Sequence, residues 1–207
     1  MILFHFKKLF SAQKKSQAGF TLVELMVSIT IMVIILGVVV VNFNNFDSSV
    51  VLTNLAFDIG LSIREAQSYG INVKGQSQTF SYPYGVHFDT TNFTKYTIFV
   101  DVNGPDANGK FGDGIWNQDN ASEKIKTYTI KPGFKILSIC TLSGITEDCV
   151  NPTSADITFV RPNPDAKIIT SNGASSVSAI EIKIAAIKSP TIIKTITIGT
   201  TGQISIK

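Results

Sequence analysis

From Phe20 to Val41 the chain reads FTLVELMVSITIMVIILGVVVV, 22 residues with a single charge, Glu24. An α-helix rises about 1.5 Å per residue, so this run spans roughly 33 Å, against about 30 Å for the hydrocarbon core of a bilayer. Val and Ile crowd its second half and are poor helix formers in water. In lipid the backbone has no partner but itself, so a helix is predicted regardless. Basic residues flank the run on its N-terminal side only. Lys7, Lys8, Lys14 and Lys15 precede Phe20, and no acidic residue does. That asymmetry predicts a single pass, with the N-terminus cytoplasmic and everything beyond Val41 outside.

The order of segments is informative. A conventional secretory signal places its small-residue cleavage site after the apolar stretch, so the stretch is lost. Here the polar, basic KKSQAG comes first, and a cut after Gly19 keeps the apolar helix. An uncleaved signal anchor explains the helix and the lysines but not Glu24. A carboxylate this far into an apolar helix costs roughly 2.5–3.5 kcal/mol on insertion scales and needs a partner. A cut before Phe20 creates an α-amino group close by, and the amine of a neighbouring copy can neutralise Glu24 inside a packed bundle. The bland alternative is a glutamate that snorkels to the interface or stays protonated.

In combination, KKSQAG-FTLVELMVSITIMVIILG resembles the class III signal of type IV prepilins. It has Gly at the cleavage site, Phe as first mature residue, Glu at the fifth and an apolar tail. The resemblance implies that a membrane prepilin peptidase cleaves after Gly19 and N-methylates Phe20. It implies that Glu24 contacts the Phe20 amine of an adjacent subunit, and that the apolar helices pack as a filament core. The implied partners are other pilin or pseudopilin subunits, a motor ATPase and an inner-membrane assembly platform. On this likeness the chain is the peptidase's substrate and a structural subunit, not an enzyme. It starts in the inner membrane and moves into a filament.

Charge adds an exclusion. The formal charge of +3 comes from 18 basic and 15 acidic residues, but four lysines lie in the leader. Cleavage leaves 14 basic against 15 acidic, a net charge of −1. Nothing in that balance points to nucleic acid or to an acidic substrate.

Beyond Val41 the Asn-rich NFNNFDSS has low helix propensity and is expected to kink or loosen the helix. From Val50 to Tyr69 the helical period resumes. Leu52, Leu55, Ala56, Ile59, Ile63 and Ala66 form one apolar stripe, read as the face that docks on a β-domain. Gly70 is the expected C-cap. From Ile71 the period becomes two. Strands are expected at Thr79–Phe88, Tyr96–Val102, Lys124–Ile130, Phe134–Ile139, Asp156–Val160, Ile180–Ile187, Ile192–Ile198 and Gln203–Ile206. The class is therefore α+β, a long helix packed on an antiparallel sheet or sandwich. The organisation is a leader over 1–19, a membrane and filament-core helix over 20–41, an amphipathic continuation over 42–70 and an extracytoplasmic β-domain over 71–207. The order of IREAQSYG, YTIFVDVNG, DITFVRP and GQISIK resembles the FimT and GspH-type minor subunits, whose domain is two antiparallel sheets packed on the helix. DNA-binding members carry arginines in the last turn and strand. GTTGQISIK has none, which puts DNA uptake in doubt.

Asp101 to Ser122 (DVNGPDANGKFGDGIWNQDNAS) sets Asp101, Asn103, Asp106, Asn108, Asp113 and Asp119 among glycines. Hard oxygen ligands on a flexible loop suit Ca²⁺. The spacing departs from the EF-hand template, and a solvated, turn-rich loop explains the same residues. Trp116 reads as an anchor of the loop or a partner contact. Cys140 and Cys149 suggest a disulfide across a short loop if the domain is exported, or two free thiols otherwise. His87, the one histidine after Phe20, lies in an expected strand without a nucleophile motif. No cofactor is expected beyond that possible Ca²⁺. A second function class stays open: a membrane-tethered module that never assembles and binds a glycan or Ca²⁺ at the Asp101–Ser122 loop.

Overall fold

The computed structural model describes residues 19–72, 82–102, 112–150, 152–173 and 177–207, with only the backbone described for 41–47. Among the described residues, one helix and ten strands follow in chain order. The helix α1 spans Leu22–Ile71. The strands are β1 (Tyr84–Asp89), β2 (Lys95–Val100), β3 (Lys124–Thr129), β4 (Phe134–Ser143), β5 (Thr146–Asp148), β6 (Ser154–Phe159), β7 (Ala166–Thr170), β8 (Ala179–Ala186), β9 (Ile193–Gly199) and β10 (Ile204–Ile206). The chain divides into two compact units, one up to Phe43 and one from Asn44 to Lys207.

In the first unit, Leu22–Val40 is long and apolar enough to cross a membrane, and none of it is buried by the rest of the protein. An exposed stretch of 19 residues, apolar but for Glu24, Ser28 and Thr30, suits another apolar phase that covers it. The Asn-rich stretch does not end the helix, because its backbone stays within α1.

The second unit is α+β. Two antiparallel five-stranded sheets run in the orders β3-β2-β1-β6-β7 and β10-β9-β8-β4-β5. Alternation decides which side chains enter the core. Ile180, Ile182 and Ile184 of β8 are fully buried, while Glu181 and Lys183 between them stay partly exposed. Val86 and Phe88 of β1, and Ala155, Ile157 and Phe159 of β6, do the same in the other sheet. The helical stripe Leu52, Leu55, Ala56, Ile59, Ile63 and Ala66 joins this cluster, each residue at most 4% exposed. Full burial of one such aliphatic side chain contributes about 1.5–3 kcal/mol.

Two strands were not legible in the pattern. β5 has only three polar residues, and β7 is a five-residue strand on the sheet edge. The first expected strand begins at Tyr84 rather than Thr79, and residues 79–81 lie outside the described set.

Gly70 corrects the expected C-cap. It lies inside α1 without a left-handed φ. A Cβ there would sit 2.4 Å from the carbonyl oxygen of Phe159, so glycine lets the helix end press against β6. Gln67, one turn earlier, donates to the carbonyls of Pro164 at 3.1 Å and Gly202 at 3.0 Å, tying the helix to two turns.

Cys140 and Cys149 are bonded, spanning the β4–β5 hairpin. Closing a loop of this length removes roughly 2–3 kcal/mol of chain entropy from the unfolded state. Reduction with dithiothreitol is expected to lower the melting temperature by ~5–10 °C. An unchanged melting curve after full reduction counts against that contribution.

Candidate functional site

The first site is the N-terminal junction. Gly19, Phe20 and Thr21 precede the helix, and Gly19 and Phe20 are exposed. Thr21 Oγ1 accepts the Glu24 backbone N–H at 3.2 Å. Thr21 is therefore the N-cap and Glu24 sits three residues into the first turn, where the helix dipole favours a negative charge. The spacing Thr-x-x-Glu is a capping-box pattern, so the signal for this role of Thr21 was present in the sequence and was missed. The magnitudes show what the cap leaves undone. A helix dipole contributes about 0.3–1 kcal/mol to an exposed carboxylate. Placing that carboxylate in lipid costs roughly 2.5–3.5 kcal/mol. The cap orients Glu24 but leaves most of that cost for another group to offset.

The second site is the Asp101–Ser122 loop. Asn103, Asp106 and Asn108 lie outside the described residues. Asp113 and Asp119 are exposed. Asp113 Oδ1 accepts the Ile115 N–H at 2.8 Å, a local turn. Asp101 is different, because it is fully buried at the end of β2. Its Oδ2 accepts the Gly114 N–H, and its Oδ1 has no hydrogen-bond partner among the described residues. Gly112 has a φ of +91°, and a Cβ on it would lie 2.4 Å from Asp101 Oδ2. Only glycine fits that approach.

Two further buried carboxylates hold the same segment. Glu123 Oε2 accepts the Asn117 N–H at 2.8 Å. Asp156 of β6 accepts the Trp116 N–H and pairs with His87 Nδ1 at 2.7 Å. Carboxylates from three places in the chain thus receive backbone N–H groups of 114–117, which fixes this part of the loop as a turn-rich structure. The described oxygens do not gather as a cation cage. Among the described residues, the one group of three ligand-type side chains within 4.8 Å is Cys140, Glu147 and Cys149, whose sulfurs are consumed in the disulfide.

Burial pushes the Asp101 carboxyl up to about 6 and raises Glu123 and Asp156 as well. A carboxyl raised in the folded state binds protons more readily folded than unfolded, so its ionisation opposes folding. Stability of the chain in micelles, read as the urea midpoint, is expected to rise as pH falls from about 6 toward about 4, between the folded and ordinary values of the Asp101 carboxyl. Asp101→Asn is expected to flatten that rise. A midpoint that falls over the same interval would show that the buried carboxylates do not govern it.

Trp116 anchors the loop. Its ring packs 5.7 Å from that of Phe99 and 6.3 Å from that of His87. Phe99 lies over Gly85 on the sheet face away from α1, where a Cβ on Gly85 would meet its ring at 2.9 Å.

Residues 14–40 match the family model described as the prokaryotic N-terminal methylation motif. No characterised protein and no solved structure matches the chain. The matched segment brackets the Gly19–Phe20 junction, Thr21, Glu24 and the apolar helix, so the chain carries a prepilin signal and is type IV pilin-like in that segment and in its α+β architecture.

Proposed function

We propose that this chain is a minor pilin or pseudopilin, a structural subunit with no catalytic step of its own. It inserts with its N-terminus in the cytoplasm, is cut after Gly19 and methylated at Phe20, and enters a filament through α1. A type IV pilus or a type II secretion pseudopilus is the setting, with a prepilin peptidase, sister subunits and an inner-membrane platform as partners.

The observation that carries this reading is the capped Glu24 at the head of a wholly uncovered apolar helix. Lipid can cover Leu22–Val40, but lipid cannot neutralise Glu24. A packed bundle of like helices with free Phe20 amines does both. Support also comes from the second unit, where Val50, Phe57 and Leu61 leave apolar side chains exposed on α1 beside the core stripe. FimT/GspH-type membership is the favoured subclass, because its two-sheet domain is the layout found here.

The test is the mature N-terminus. The chain is expressed with and without a prepilin peptidase, and the N-terminal peptide is read by mass spectrometry. N-methyl-Phe20 appearing only with the peptidase is expected. An intact leader in cells that build filaments would overturn the proposal.

A further inference from the structure

The outer face of the first sheet carries a cleft of about 340 Å³. Strand register builds its floor. His87 of β1 pairs with Thr97 of β2, and Thr97 with Thr127 of β3, so three polar side chains stand in one row on the face away from the core. The two threonine hydroxyls lie 3.1 Å apart. Trp116, held by Asp156 through its backbone and by Phe99 through its ring, forms a wall. Lys95 and Lys124 stand on the rim, both exposed, and neither pairs with a carboxylate among the described residues. Among the described residues the one acid lining the cleft, Asp89, is occupied with the N–H and hydroxyl of Thr91 at 2.7 Å.

We propose that this cleft binds an acidic saccharide, a pyranose chain bearing carboxylates. Its polar chemistry selects that class. Nδ1 of His87 pairs with Asp156 at 2.7 Å, so Nε2 is the ring nitrogen left for a ligand, an acceptor in the Nδ1–H tautomer. A sulfate has only acceptors to offer. A sugar hydroxyl both donates and accepts, which suits an imidazole acceptor beside two threonine hydroxyls. The indole face takes the apolar C–H face of a sugar ring. The two unpaired ammonium groups supply charge-assisted hydrogen bonds for a carboxylate. The volume falls in the usual range for small-molecule sites, about 300–1,000 Å³. The site stands in the second unit and does not depend on whether the chain enters a filament.

Trp116 is the chain's one tryptophan, so its emission reports this cleft alone. The full chain in detergent micelles is titrated with trigalacturonate, with a neutral galactose trisaccharide, and with sodium sulfate. A saturable change in emission with trigalacturonate, at least tenfold tighter than with either control, is the expected result. The double variant Lys95→Ala/Lys124→Ala, at exposed positions, is expected to keep the near-ultraviolet circular dichroism and weaken trigalacturonate binding at least tenfold. Trp116→Phe, followed by calorimetry, is expected to weaken it too. No saturable response to trigalacturonate overturns the proposal. So does a neutral trisaccharide or sulfate binding equally well, or undiminished binding in the double lysine variant.

Discussion

Glu24→Ala is expected to insert into the membrane at least as well as the wild type and to fall at least tenfold in the filament fraction. Both directions follow from one charge. Removing a carboxylate from an apolar helix relieves the roughly 2.5–3.5 kcal/mol insertion cost, so topology and membrane yield do not suffer. The same substitution removes the group that a neighbouring Phe20 amine would neutralise. Each subunit then presents an uncompensated ammonium to an apolar bundle, and the preferred axial stagger disappears. Glu24→Gln separates charge from shape, because it keeps the hydrogen-bonding head and is expected to fail as badly. Thr21→Ala removes only the cap, which costs about 1 kcal/mol of helix stability. It is therefore expected to reduce incorporation far less than Glu24→Ala. Membrane fractionation and immunoblotting of sheared filaments give both readouts. Wild-type incorporation of Glu24→Ala would sink the charge-pairing argument, whatever becomes of the peptidase cut.

Gly70→Ala is expected to destabilise the second unit by about 1–2 kcal/mol, even though alanine is the better helix former. Two effects oppose each other. Alanine in place of glycine inside a helix gains about 1 kcal/mol. Against that, its Cβ would lie 2.4 Å from the Phe159 carbonyl oxygen, and backbone in β6 cannot swing away as a side chain can. Overpacking of this kind costs about 1–3 kcal/mol or more, so the clash wins. Gly60 supplies the contrast on the same helix. A Cβ there meets only the flexible end of Ile206, at 2.9 Å. Gly60→Ala is therefore expected to be near neutral or stabilising. Thermal melts of both variants settle the point, and equal melting temperatures for the two would show that the helix end does not depend on that close approach.

These two glycines also show where sequence reading stops. Gly70 sits where a helix pattern ends, and a C-cap is the natural inference from one dimension. Its actual role depends on a carbonyl 89 residues later, at Phe159. The loop carboxylates give the same lesson. Composition pointed to Asp101, Asn103, Asp106, Asn108 and Asp113 as cation ligands. The structure turns Asp101 inward to hold Gly114, and recruits Glu123 and Asp156 for the neighbouring N–H groups. Asp156 stood in an expected strand with nothing local to mark it. The β1–β6 register, which sets His87 against Asp156, and the fold-back of the loop that brings the Trp116 N–H, give it its partners. Thr21 is the opposite case, since the capping pattern with Glu24 is local and was readable.

The sequence by itself determined what short-range periodicity and transfer energy control. A 22-residue apolar run with one carboxylate specifies a membrane-length helix, and the KKSQAG-FTLVE junction resembles a prepilin signal, as the methylation-motif match supports. Spacings of three and four chose the stripe from Leu52 to Ala66 for the core, and alternation chose the isoleucines of β8. Those choices need only neighbours within a turn or a strand. Tertiary structure decided which polar residues meet. His87 and Asp156 are 69 residues apart, and the Trp116 wall stands over a floor drawn from three strands. Register and the folding back of one loop create such contacts, and neither leaves a trace in the local pattern.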